Sequence, residues 1–82
     1  MMNQNDIKAI AENALMIIDG YAFSKPEGQG DNISIVNLHA PNHALVMTRN
    51  GEVLETTMDD IEISIVQTYW SENKQFAEEA YA

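Results

Sequence analysis

Cysteine is missing from this 82-residue chain, and bases, proline and tryptophan are scarce: four Lys or Arg, two Pro and one Trp. Without cysteine there is no disulfide framework, no thiol nucleophile and no cysteine-based zinc or iron–sulfur site, a composition that suits a reducing cytoplasm. No apolar run approaches the roughly 20 residues needed to cross a bilayer. The N-terminal stretch also lacks the basic start of a secretory signal, because Asn3, Gln4, Asn5 and Asp6 stand there and Asp19-Gly20 follows the apolar part. The length is that of one core, so residues 1–82 are expected to form a single domain.

What the chain has in excess is acid. Thirteen Asp and Glu give a net charge of −9. From Asn50 onward stand Glu52, Glu55, Asp59, Asp60, Glu62, Glu72, Glu78 and Glu79, with Lys74 as the one base, so most of the imbalance lies in the last third. Such a field repels nucleic acids and anionic membranes and attracts basic surfaces, including the nucleic-acid channels of other proteins. An acidic surface is equally an ordinary solubility device.

The organising element is the C-terminal stretch. Thr57 is a suitable N-cap, able to accept from the Asp60 backbone N–H, and Asp59 and Asp60 oppose the positive helix end. Met58, Ile61, Ile65, Tyr69 and Phe76 recur at helical spacing, with Val66 and Ala80 beside them, which predicts a helix over 58–79 with that stripe toward the core. A strand over Ile61–Trp70 is the alternative, since Ile61, Ile63 and Ile65 also alternate with Glu62 and Ser64; the uninterrupted length favours the helix. Ile63 and Trp70 project about 120 to 140 degrees from the stripe. They are either covered by another segment or form an apolar dimer or partner interface.

Upstream, Ile7, Ile10, Ala14 and Ile17 predict a first helix over residues 5–18, capped by Asn5 or Asp6 and closed by Gly20. Tyr21–Lys25 and Asn32–Leu38 read as strands joined by a turn-rich loop. The strongest local signal is Ala44–Thr56, where Asn50-Gly51 supplies the left-handed pair of a two-residue type I′ hairpin. That loop would set Met47 opposite Leu54, Val46 opposite Glu55 and Leu45 opposite Thr56, with Leu45, Met47 and Leu54 facing the core. The expected fold is therefore α+β: an N-terminal helix, a three- to four-stranded antiparallel sheet with an Asn-Gly hairpin, and a long C-terminal helix on the sheet.

Chemistry is thinly signalled. The serines sit in no nucleophile elbow, Gly28-Gln29-Gly30 completes no phosphate-binding fingerprint, and His39 and His43 flank a Pro41-Asn42 turn where their spacing guarantees no metal geometry. No enzyme activity, cofactor or metal is expected.

The Asn5-Asp6-Ile7 helix start, the strands from Asn32 through Asn50-Gly51 to Thr56 and the acidic helix from Asp59 give a layout similar to that of small phage-encoded anti-CRISPR proteins. The likeness lies in layout and charge and brings no shared motif, so no individual residue role is carried over. It implies a phage- or mobile-element-encoded cytoplasmic inhibitor that occupies a nucleic-acid site on a Cas effector. Together with the charge it leads to the expectation of a non-enzymatic protein-binding domain whose Glu52, Glu55, Asp59, Asp60 and Glu62 contact a basic surface of a nucleic-acid-binding effector, without binding nucleic acid or membrane. The alternative is a homodimeric assembly module joined through Ile63 and Trp70.

Overall fold

The computed structural model describes residues 14–26 and 28–81, with side chains through Gln75. Asp19 and Gly20 both hold left-handed φ values, 49° and 80°. That pair is what a two-residue type I′ turn requires, and it folds β1 (Met16–Ile18) back onto β2 (Tyr21–Ser24) with Ile18 opposite Tyr21. The expected first helix is corrected here: its end, residues 16–18, is a strand, and residues 5–13 lie outside the described residues. The apolar run Leu15-Met16-Ile17-Ile18 followed by Asp-Gly suits a hairpin as well as a helix end, and pairing with β2 decides between them. Gly20 has a second constraint, because a Cβ there would lie 2.7 Å from the His39 ring.

From β2 the chain continues as a simple meander through β3 (Ile33–Asn37), β4 (Ala44–Met47) and β5 (Val53–Thr56), all antiparallel and in the order β1-β2-β3-β4-β5. Among the described residues the sheet thus has five strands, not three or four. Alternation sorts its two faces. Phe23, Ile35, Leu45 and Thr56 form one cross-strand row, with Ile33, Met47 and Val53 beside it. The opposite face carries Ile17, Ala22, Val36 and Ala44 in one row and Ser24, Ser34, Val46 and Glu55 in the next.

The β4–β5 connection departs from the expected two-residue loop. Asn50 is not left-handed; only Gly51 is, at φ 89°. Thr48 O accepts from Gly51 N–H at 2.9 Å and Thr48 N–H donates to Glu52 O at 2.9 Å, so the loop is Arg49-Asn50-Gly51, three residues ending in a left-handed glycine. The Thr48 hydroxyl reinforces it by accepting from Asn50 N–H and Glu52 N–H at 3.3 and 3.2 Å. A bulge between Val46 and Met47 then restores Val46 opposite Glu55 and Leu45 opposite Thr56, while Met47 faces Val53. Leu54 is the extra residue. It is 52% exposed, where the expected register placed it in the core.

The long helix α1 spans Asp60–Tyr81, so the helical reading of 61–70 holds and the strand alternative does not. Its cap is Asp59, whose Oδ1 accepts from Glu62 N–H at 2.8 Å while its carbonyl accepts from Ile63 N–H at 2.9 Å. Thr57 serves elsewhere: its hydroxyl donates to Asn42 O at 2.6 Å and accepts from Ala44 N–H at 3.0 Å. The buried face of α1 is also rotated from the expected stripe. Val66 and Trp70 are buried with Ile63 and Tyr69 packed beside them, whereas Ile61 and Ile65 are 74% and 40% exposed. Two apolar stripes of similar strength run along this helix, and long-range contacts choose between them. Trp70 stacks on Phe23 with ring centroids 6.4 Å apart and donates Nε1–H to Arg49 O at 2.7 Å, and Gln67 donates to Gly51 O at 2.9 Å. The core is therefore the α1 face of the sheet, built from Phe23, Ile33, Ile35, Leu45 and Met47 under Met58, Val66 and Trp70.

Candidate functional site

The first turn of α1 meets the ends of β2 and β3 and the β3–β4 loop at one carboxylate. Glu62 Oε2 accepts from the Tyr21 hydroxyl at 2.7 Å and from Asn37 Nδ2 at 3.0 Å, and Oε1 lies 2.8 Å from His43 Nδ1. Its side chain is only 14% exposed. The hydrogen bond from His43 draws the Glu62 carboxyl below its ordinary range, helped by Tyr21 and Asn37 and opposed by burial. An ionised carboxylate only accepts, so His43 Nδ1 carries a proton and donates it to this contact. Burial, then the neighbouring Glu62 carboxylate, pushes Tyr21 up to about 12. Beside this group the Tyr69 hydroxyl donates to Asp19 Oδ2 at 2.9 Å, which raises Tyr69, and the Tyr21 and Tyr69 rings lie 6.2 Å apart.

Chemically this is an anchor. It ties the start of α1 to three parts of the sheet end through charge-assisted hydrogen bonds. Among the described residues no hydroxyl is hydrogen-bonded to His43 Nε2 and no group of three or more His, Asp or Glu is arranged around a cation. His39 lies against Gly20 while His43 turns to Glu62, so the two imidazoles have different partners.

The residues expected to contact a partner separate into two kinds. Glu62 is spent in the anchor. Glu52, Glu55, Asp59 and Asp60 are exposed along the path from the β4–β5 turn down edge strand β5 to the start of α1. Ile63 and Trp70, the expected apolar interface, pack in the core of one chain, Trp70 with 2% of its surface exposed. Exposed aliphatics fall instead at Ile61, Ile65, Leu54 and Ile17.

Among the described residues, two depressions flank β5 and its turn. One, about 380 Å³, is lined by Ala44, Leu45, Val46, Glu55, Thr56 and Thr57. The other, about 350 Å³, is lined by Asp31, Asn32, Thr48, Arg49, Asn50 and Lys74, near the Lys25–Asp31 pair at 3.4 Å. The described bases Lys25, Arg49 and Lys74 thus gather at the turn end of the molecule, away from Asp59 and Asp60.

The model of a family of unknown function, DUF7723, matches residues 4–77. The chain belongs to this family. No curated protein and no solved structure matches it. The DUF7723 match takes in all five strands, Glu62 with its three donors, and α1 as far as residue 77. No helix among the described residues is long and apolar enough to cross a membrane.

Proposed function

We propose that this DUF7723 domain is a non-catalytic, cytoplasmic protein-binding module whose acidic β5–α1 flank covers a basic, nucleic-acid-binding surface of a partner protein and so inhibits it. One observation carries the reading: Glu52, Glu55, Asp59 and Asp60 are successive acids of the chain and all exposed, and no Lys or Arg falls between Asn50 and Asn73. Like charges left together on a small rigid scaffold cost stability through mutual repulsion, and a cationic partner relieves that cost on binding. Cas effectors, with their positively charged channels, are one class of protein that such a flank would fit.

The test is capture from lysate of the native host at low salt, run in parallel with a Glu52→Lys, Glu55→Lys, Asp60→Lys variant. Asp59 is left intact because its Oδ1 caps α1. The reading requires a basic nucleic-acid-binding protein that the wild type retains, free nucleic acid displaces and the folded variant loses. A partner held equally by both proteins would defeat it.

A second reading, a homodimeric assembly module, is favoured by Ile61 and Ile65, exposed one helical turn apart on α1. A net charge of −9 on each copy opposes that association at low salt. A concentration-independent monomer in sedimentation, unchanged at high salt, would remove it.

A further inference from the structure

The depression beside Glu55 has a composition that the acidic flank alone does not explain. Ala44 and Val46 lie on the sheet face away from α1, and Val46 is paired directly with Glu55, so the carboxylate rises beside a half-buried shelf of small aliphatic groups. The two threonines on its border are exposed, but their hydroxyls bond to backbone groups. Thr56 donates to Ala44 O at 3.0 Å and accepts from Met58 N–H at 2.9 Å, and Thr57 donates to Asn42 O at 2.6 Å and accepts from Ala44 N–H at 3.0 Å. Their hydroxyls are satisfied by the backbone. Glu55 is exposed, and its carboxylate has no hydrogen-bond or ion-pair partner among the described residues. The space, about 380 Å³, is at the small end of ligand clefts, which run to roughly 1,000 Å³.

We propose that this depression is an anchor site for one long basic side chain, arginine or lysine, of the partner protein. The inference rests on the reading of the β5–α1 flank as a partner-binding surface. An aliphatic stem lies along Ala44 and Val46 while the charged head reaches Glu55, the way long basic side chains bury their methylenes and keep their charge solvated. Asp59 and Asp60, which follow Glu55 through a short connection, add to the field that draws a cation to this end. An acidic side chain or a second copy of this chain meets like charge here.

The full chain, labelled with nitrogen-15, is titrated with N-acetyl-arginine amide, N-acetyl-lysine amide and, as an uncharged stem, N-acetyl-norleucine amide, following backbone amide shifts. The expected result is saturable shifts centred on Ala44, Val46, Glu55, Thr56 and Thr57 with a basic amide and at least threefold smaller ones with the norleucine amide. Glu55→Gln should weaken the basic amide about threefold to fivefold, the size of a solvated ion pair. Ala44→Leu, which fills the shelf, should abolish the localised shifts; if that variant does not fold, Glu55→Gln alone decides. Shifts spread evenly over the acidic surface, an equal response to the norleucine amide, or an undiminished response in Glu55→Gln would overturn the proposal. If the charge-reversed variant loses its partner while the basic amides ignore the depression, the anchor fails and the flank reading stands. If charge reversal leaves partner capture unchanged, the flank reading fails whatever the titration gives.

Discussion

Replacing Glu62 probes the contact that joins α1 to the sheet end. Glu62→Ala would leave the Tyr21 hydroxyl, Asn37 Nδ2 and His43 Nδ1 without the carboxylate that accepts from all three. A hydrogen bond to a charged group contributes about 1.5 to 3 kcal/mol, but these three share one acceptor at a partly solvated rim, so their losses do not add. The expected total is about 2 to 3 kcal/mol, a large share of the roughly 4 to 12 kcal/mol that a domain of this size has. In thermal terms that is a fall of about 10 to 20 °C. Glu62→Gln keeps the shape and one acceptor oxygen and should lose about half as much.

The same residue gives a pH signature. The folded carboxyl lies below the ordinary value of 4.5, so below about pH 4.5 the unfolded chain takes up a proton that the folded chain resists. The stabilisation from Glu62 is therefore complete above that pH and is lost as pH falls through the lowered folded value. Urea unfolding of wild type and Glu62→Gln at pH 7 and at successively lower pH measures both effects. The two proteins should differ at pH 7 and converge in acid. A Glu62→Ala loss below about 0.5 kcal/mol, the scale of ordinary surface substitutions, or a difference that stays constant into acid, would refute the anchor.

Three further outcomes are expected. Trp70→Ala should cost about 3 to 5 kcal/mol through the cavity against Phe23 and the lost hydrogen bond from Nε1–H to Arg49 O, with no effect on oligomeric state; a stable variant with altered mass in sedimentation would contradict its place in the core. Gly20→Ala meets both a left-handed φ and the His39 ring, and should lower the melting temperature more than Gly30→Ala, which meets the φ constraint alone at 61° with open space around it; equal effects would mean the His39 contact is unimportant. Asp59→Ala should cost about 1 kcal/mol as the loss of the helix cap, read by urea unfolding, and an unchanged midpoint would argue against that capping role.

Strand positions in the sheet centre were legible because alternation is local: Ile33 and Ile35 face the core from β3 and Leu45 and Met47 from β4. Turn chemistry was ambiguous at two places for one reason. Asp-Gly closes helices and hairpins alike, and Asn-Gly fits both a two-residue loop and the last positions of a three-residue one. At Asp19-Gly20 the pairing of Met16 with Phe23 decides, and at Asn50-Gly51 the Thr48 hydroxyl does. The buried face of α1 is not legible from hydropathy, because Ile61 and Ile65 are as apolar as Ile63 and Val66 and only the fold brings Trp70 to the Arg49 carbonyl. The Glu62 anchor left no local signal. Its partners stand 19, 25 and 41 residues away, and only the meander brings them together. The exposed acids of the flank were legible, since short charged residues after a hairpin and at a helix start stay in water.

Binding of a basic partner surface by the acidic β5–α1 flank should depend strongly on salt. Titration calorimetry of the captured partner with wild-type protein should show affinity falling roughly tenfold or more between about 50 and 500 mM salt, with nucleic acid competing for the same surface. Affinity that is flat across that range and indifferent to added nucleic acid would mean that the flank does not hold a partner through its charge.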